Sequence, residues 1–238
     1  MYKARGHLGP CRVAQCMECG LLFLSEKYGR LEDFGDVRKM AAGYLSRVNI
    51  EFNDKDLYEY NKHRNETFRR YHELVNQDKK GGNILDIGCG NGFFLSFFDS
   101  GQWKRKGVDH NRENWQECLR SGLDVFWGSF LSYPEEDYFD VIAMLEYIEH
   151  TEDPLSELIK SYSLLKKGGL LLVETGNADS AIAKERGTEW AYFTAAPDHK
   201  YFFSSETLSK IVRTAGFQQI TFPEGENQEV VLLTARRP

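Results

Sequence analysis

The stretch Asn83-Ile84-Leu85-Asp86-Ile87-Gly88-Cys89-Gly90-Asn91-Gly92-Phe93-Phe94 decides how this 238-residue chain is read. A short apolar run ends in three alternate glycines, and the spacing predicts a helix over 92–98. Glycine lets the backbone bend sharply and brings main-chain N–H groups close to a ligand. A helix beginning there offers unpaired donors and partial positive charge to a carboxylate or phosphate. The next apolar run, 105–109, ends on Asp109. A carboxylate about 20 residues past such a loop can accept hydrogen bonds from both hydroxyls of a ribose. Loop and acid then share the carboxyl edge of two strands, where open parallel sheets bind ligands. The dinucleotide fingerprint wants a small residue at position 93 for close helix–strand packing. Phe93 stands there, which disfavours a pyrophosphate and with it a nicotinamide cofactor.

Outward from this loop, short apolar runs alternate with helical stretches. The runs are 83–87, 105–109, 124–127, 141–145 and 170–174; the helical stretches are 92–98, 112–121 and 154–165. In the last, Leu155, Leu158, Ile159 and Tyr162 follow the spacing of one helix face. Alternation of this kind implies crossover connections and a parallel sheet covered on both faces. Residues 204–215 read as a helix, N-capped by Ser204 or Ser205 and stopped by Gly216. Strands 218–222 and 230–235 follow, separated by too short a turn for a parallel crossover, so they form an antiparallel hairpin. The sum is an α/β fold: a seven-stranded sheet with one antiparallel strand and helices on both faces. Before the loop, Leu57, Tyr60, Arg64, Phe68, Tyr71, Leu74 and Val75 give a long helix over 55–77, ended by Gly81-Gly82. Residues 1–30 look irregular.

Composition sets limits. Hydrophobic residues make up 41% and charged residues 28%, which excludes disorder for most of the chain. No run approaches the ~20 apolar residues of a membrane-spanning helix. The start, Met1 to His7, lacks the apolar core of a signal peptide. Net charge of −6 and a pI of about 5.6 argue against nucleic-acid binding, and Lys104-Arg105-Lys106 and Lys166-Lys167 read as solvated turns. Cys11, Cys16, Cys19, Cys89 and Cys118 are odd in number and bunched near one end, which points to a reducing, cytoplasmic setting rather than a disulfide framework.

The glycine loop resembles the first motif of class I S-adenosylmethionine-dependent methyltransferases. So do three further segments: Phe139 to His150 with Asp153-Pro154, Leu164 to Leu170, and His199 to Ser204 with Thr207-Leu208 and Ala215-Gly216-Phe217. The last resembles the branch containing ubiquinone-type O-methyltransferases. The resemblance covers about 80–236 and implies a Rossmann-like fold, S-adenosylmethionine as cofactor and a small-molecule methyl acceptor, with oxygen the leading nucleophile. It divides the chain into a Cys-containing segment 1–30, a helical lid 31–80 and a cofactor domain 81–238. By the same resemblance Asp86, Gly88, Cys89, Gly90 and Gly92 line the methionine part of the cofactor. Asp109 holds the ribose and His110 lies beside the adenine. Ser129 and Phe130 stand near the base, and Leu145 and Glu146 close the pocket.

Methyl transfer displaces a neutral sulfide, so the protein chiefly aligns the reactants and excludes water. A hydroxyl acceptor adds the need for a base or a metal. Glu146, His150 and His199 are the base candidates. Glu146, Glu149 and His150 share a face if helical, and relatives with E-x-x-E-H bind a divalent metal, with His199 a further ligand here. The reading preferred from sequence is metal-free: Glu146 on the cofactor, Glu149-His150 capping the next segment. Spacing H-x3-C-x4-C-x2-C over His7, Cys11, Cys16 and Cys19 is that of a zinc knuckle, but the upstream cysteine pair of related ribbons is missing, so a degenerate ribbon without zinc is expected. Tyr44, Phe52, Tyr58 and Tyr60 with Arg64 are expected in the lid, Arg64 meeting the cofactor carboxylate or an acidic substrate. Trp190, Tyr192 and Phe193 are expected to form an apolar acceptor wall. Two rival functions stay open: a metal-dependent RNA 2′-O-methyltransferase and a non-catalytic cofactor-binding regulator.

Overall fold

A computed structural model of the protein describes residues 2–6, 9–25, 54–134 and 138–238. His7, Tyr44 and Phe52 lie outside these residues, as do the side chains of Cys11, Tyr58 and Tyr60. Three short strands come first: β1 (Tyr2–Gly6), β2 (Gly9–Gln15) and β3 (Leu22–Leu24). Then follow α1 (Asp54–Asp78), β4 (Gly82–Ile87), β5 (Trp103–Asp109), α2 (Arg112–Arg120), β6 (Asp124–Trp127) and β7 (Phe139–Leu145). The remainder is α3 (Pro154–Leu164), β8 (Leu165–Gly176), α4 (Ala181–Arg186), α5 (Ala191–Thr194), β9 (Tyr201–Phe202), α6 (Ser205–Thr214), β10 (Gln218–Thr221) and β11 (Val230–Arg236).

Seven strands form the main sheet in the order β10-β11-β8-β7-β4-β5-β6. Only β11 opposes the others, pairing antiparallel with both β8 and β10. The chain leaves central β4 for β5 and β6 on one side, then crosses to β7 on the other. That reversal opens a crevice at the carboxyl end of β4, where doubly wound sheets place their ligands.

Period-two alternation decides which helices cover which face. Leu85, Ile87, Ile142, Met144, Leu171 and Val173 pack with Leu158 of α3 and Leu208 and Val212 of α6. Their neighbours Ile84, Val141, Ala143 and Leu172 face the other way, onto Phe68, Tyr71 and Val75 of α1 and Cys118 of α2. Each large apolar side chain buried this way contributes about 1.5–3 kcal/mol over leaving it in water. Helix starts are fixed locally. Asn111 accepts from Glu113 N–H and Asn114 N–H to cap α2, Asp153 caps α3 ahead of Pro154, and Ser204 with Thr207 forms a reciprocal cap on α6.

Two expectations are corrected. The helix over 92–98 is a single tight turn at Leu95–Phe97. Ser96 Oγ bonds the carbonyl of Phe93 at 2.7 Å, and the N–H groups of Phe97 and Phe98 reach back only three residues. Side-chain competition of this kind breaks the longer ladder. Phe93, Phe94 and Phe97 meanwhile pack against Phe68 of α1. The second correction concerns residues 1–30, where β1, β2 and β3 join β9 in a four-stranded antiparallel sheet. Val13, Trp190, Phe193, Ala196 and Phe202 form a small core beneath it. Order there comes from non-local pairing with β9, which local periodicity does not register.

Candidate functional site

Three bends shape the loop after β4. Gly88, Gly90 and Gly92 have φ of +72°, +54° and +79°, a region that residues with a Cβ rarely enter. A Cβ on Gly88 would stand 2.6 Å from the ring of Tyr147, whereas the same position on Gly90 meets nothing within 4 Å. Gly88 N–H and Cys89 N–H donate to the carbonyl of Val108 at 2.8 and 3.1 Å. Asp109 completes the link. Its Oδ2 accepts from Gly90 N–H at 2.8 Å and its Oδ1 from Asn111 N–H at 2.7 Å. Loop and acid are thus brought together, and the Asp109 carboxylate is held by the loop and by the start of α2.

A cavity of about 260 Å³ opens beside them. Asp86, Gly88, Cys89, Gly90 and Leu145 line it, together with Asn91, Phe93, Phe94 and Phe68, which the sequence reading does not assign to a cavity. Arg64 closes it from α1, its guanidinium 4.3 Å from the centre of the Phe68 ring. Asp86 is only 3% exposed. Burial, reinforced by the Asp109 charge and opposed by Arg64, pushes its pKa up to about 8. An acid held neutral beside a cavity gains when a cation enters. Cys89 and Cys118 both direct their thiols at the Gly90 carbonyl, and burial raises the pKa of each.

Just past the end of β5, His110 is exposed and its carbonyl accepts from Trp127 Nε1 at 3.0 Å. Ser129 is exposed. Phe130 is not an open face for a base: it is 1% exposed and packs in the core with Tyr133 and Phe139. The exposed aromatic there is Trp127, stacked on Trp115 with centroids 5.5 Å apart. Its tryptophan pair at the carboxyl edge was the available sequence signal.

A second constellation begins at the end of β7. Glu146 has φ of +53°, and its N–H donates to the Glu174 carbonyl at 3.0 Å. Its carboxylate accepts the Tyr192 hydroxyl at 2.6 and 2.7 Å. Burial first, then the Glu174 charge, pushes the Glu146 pKa up to about 7 against the opposing Tyr192 bond and Arg64. Glu149 is fully buried, with Thr175 and Glu146 approaching it, yet neither carboxylate oxygen meets a donor in hydrogen-bond geometry among the described residues. Burial and the Glu146 charge raise its pKa well above the usual carboxylate range.

His150 and His199 complete the cluster. Nδ1 of His150 lies 3.0 Å from the Asp198 carbonyl, and Nδ1 of His199 lies 3.1 Å from the Tyr192 carbonyl. A carbonyl can only accept, so each Nδ1 carries a proton, and in the neutral ring the lone pair then sits on Nε2. Their rings meet edge-to-face with centroids 4.6 Å apart. His150 is exposed as a residue, yet burial of its ring lowers its pKa, which favours the neutral form at pH 7. One donor atom each from Glu149, His150 and His199 lie within 4.8 Å of one another. A buried carboxylate without donors beside two imidazole lone pairs fits a divalent cation that accepts N and O ligands. Glu146, turned to Tyr192, is not part of this trio.

Two expectations are revised here. Glu149 and His150 do not cap the next helix, because Asp153 does, accepting from Ser156 N–H at 3.1 Å. Trp190 and Phe193 are no acceptor wall: both are buried under the small sheet. Tyr192 is half-buried, stacked on Trp190, with its hydroxyl spent on Glu146. At the N-terminus, Cys16 and Cys19 occupy a tight turn in which Gly20 N–H bonds the Cys16 carbonyl at 2.9 Å. Hydrogen bonds from the main chain of Cys19 and Glu18 lower the Cys16 pKa. No described helix is long and apolar enough to cross a membrane.

Comparison with known proteins agrees with this geometry. A family model described as a methyltransferase domain matches residues 60–221. The ubiquinone biosynthesis O-methyltransferase of Dinoroseobacter shibae is 27% identical over 154 residues, covering 59% of this chain and 62% of that protein. The chain therefore spans about three fifths of the length of this curated relative. Among solved structures, a Thermotoga maritima protein described as a SAM-dependent methyltransferase, possible histamine N-methyltransferase, superposes with a TM-score of 0.59 at 24% identity over 77% of this chain and 97% of its own. A SAM-dependent methyltransferase from Archaeoglobus fulgidus gives 0.60 at 20% identity over 73% and 94%. Both likenesses concern the fold. Because the family model takes in more than half of the chain, including the glycine loop and Asp109, the chain belongs to the methyltransferase-domain family, in its class I, S-adenosylmethionine-dependent branch.

Proposed function

We propose that the chain transfers the methyl group of S-adenosylmethionine to a small-molecule acceptor, with oxygen as the receiving atom. The carrying observation is the Asp109 carboxylate bonded to Gly90 N–H beside the cavity lined by Asp86. In this reading Gly88, Cys89, Gly90 and Gly92 let the cofactor approach the backbone, and Asp109 turns its oxygens to the ribose. His110, Ser129 and Trp127 flank the adenine. Asp86 and Arg64 face the amino and carboxylate groups of the methionine end, and Leu145 presses on it from β7. The D. shibae relative's name supports oxygen as the acceptor atom.

The chemistry asks little of the protein beyond alignment. An in-line attack on the sulfonium methyl forms the new O–CH₃ bond as the S–CH₃ bond breaks, and the electron pair leaves on a neutral sulfide. The hydroxyl proton must go to a base. Nε2 of His199 or His150 carries a lone pair suited to this, and Glu146, with a pKa near 7, is the third candidate. A divalent cation on Glu149, His150 and His199 is a second reading, favoured by the two donorless oxygens of Glu149. When bound, such an ion lowers the pKa of a nearby hydroxyl. The acidic charge balance favours a small acceptor over RNA.

Isothermal titration with S-adenosylmethionine tests the reading. The protein should bind it, and Asp109→Ala should weaken binding by about a hundredfold, equal to two hydrogen bonds to a charged group at the lower end of their range. Absence of binding by the unaltered protein would refute it. Cofactor binding without methyl turnover on any hydroxyl, amine or carbon acceptor would favour the regulatory alternative.

A further inference from the structure

Glu174, near the end of β8, is an acid that follows the apolar Leu170 and Leu172 on the same face of the strand, and it is 1% exposed. Its Oε1 accepts from Arg64 Nη1 at 3.1 Å, and its Oε2 accepts the Tyr71 hydroxyl. Arg64 and Tyr71 lie two turns apart on one face of α1. Through its main chain, Glu174 also accepts the N–H of Glu146. One residue therefore joins the helix that closes the cavity to the bend that carries Glu146.

We propose that Glu174 is a positioning residue that presets the Arg64 guanidinium to receive the carboxylate of the cofactor's amino-acid end. The inference rests on the cofactor reading above. A free arginine side chain samples many rotamers. A ligand that must order it gives up part of its binding free energy. Glu174 holds one nitrogen of the guanidinium fork in advance, and the Phe68 ring supports the group from beneath. Glu174 is itself kept in the interior by Arg64 and Tyr71, the condition under which a buried charge is tolerated.

The test compares two ligands: S-adenosylhomocysteine, which carries the amino-acid end, and 5′-methylthioadenosine, which has the same nucleoside and sulfur without it. Titration calorimetry on the full chain is run with the unaltered protein, Glu174→Gln, Arg64→Lys and the double variant. Glu174→Gln should weaken S-adenosylhomocysteine about tenfold and 5′-methylthioadenosine less than about twofold. Arg64→Lys should show the same ligand-selective loss, and the double variant should be no weaker than Arg64→Lys alone. Equal loss for both ligands would make Glu174 a mere anchor of α1 and overturn the proposal. So would unchanged or tighter S-adenosylhomocysteine binding by Glu174→Gln, or additive losses in the double variant. If Glu174→Gln fails to fold, Arg64→Lys decides, since equal loss of both ligands there also overturns it. An unaltered protein that binds neither ligand overturns the cofactor reading and this inference together.

Discussion

Replacing Asp86 by asparagine should stabilise the ligand-free protein while weakening cofactor binding. Burial raises the Asp86 pKa from 3.8 to about 8. The unfolded chain loses the proton near pH 3.8, and the folded chain holds it until about pH 8. Between those values the folded state binds more protons, so stability falls as pH rises, by at most about 1.4 kcal/mol per pH unit. At pH 7 the accumulated cost reaches roughly 4 kcal/mol as an upper figure. Asparagine keeps the shape and removes the titration. Thermal unfolding without ligand should then show Asp86→Asn close to the unaltered protein near pH 4.5. Near pH 7.5 it should be several degrees more stable, at about 2–4 °C per kcal/mol for a chain of this size. With S-adenosylmethionine present that advantage should shrink, because the variant cannot pair a carboxylate with the ammonium group. The loss should be about 1.5–3 kcal/mol, or ten- to a hundredfold in affinity. A variant destabilised equally at both pH values would refute the reasoning: the carboxylate would then be held by a partner rather than penalised by its surroundings.

Gly88→Ala should destabilise by about 1–3 kcal/mol in chemical denaturation, since it adds a Cβ at φ +72° and 2.6 Å from the Tyr147 ring; a change under about 0.5 kcal/mol would mean the loop relaxes freely. Trp190→Ala empties a fully buried site in the small core. It should cost about 3–5 kcal/mol by urea denaturation and increase hydrogen exchange in β2 and β3 before the main sheet. Purified protein dialysed against zinc or manganese should retain close to one equivalent by elemental analysis, and Glu149→Gln or His199→Ala should retain much less; equal metal content in all three would remove the proposed ion. Glu146→Gly should be about 1 kcal/mol more stable than Glu146→Ala in thermal unfolding, because only glycine takes φ +53° without a Cβ penalty.

The sheet was legible because its signals are local. The strands of the parallel part hold short apolar stretches near a glycine or an acid, even where β5 carries Lys104, Arg105 and Lys106, and each expected run forms a strand with ends shifted by a few residues. Asp86, Gly88, Gly90 and Asp109 were readable because loop and acid sit at fixed spacing from those runs. What the sequence hid is non-local. The small sheet needs β9, which is far along the chain from β3. Tyr192 looked like an apolar wall because nothing near it shows that its hydroxyl reaches Glu146 across 46 residues. Phe130 looked available because burial by Tyr133 and Phe139 depends on how β7 returns past it. Glu174 did leave a trace, an acid at the end of an apolar run, and the function of that trace becomes visible only when α1 lies across it.

Asp86 and Glu149 define the electrostatic logic of the proposed site. Both are buried acids whose ionised forms are penalised in the ligand-free fold, and the penalty at each is relieved by positive charge. Arg64 acts on Asp86 as a nearby charge while its guanidinium is paired with Glu174. A ligand bearing an ammonium and a sulfonium near Asp86 supplies the missing charge there, as a divalent cation on the histidine side would at Glu149. The fold thus gives up stability when empty and recovers it when charged, which selects a cationic cofactor over a neutral nucleoside of the same shape. On this argument S-adenosylmethionine should bind more tightly than its uncharged-sulfur product if the sulfonium lies close to Asp86. Equal affinity for the two would assign the selectivity to the ammonium group that both share.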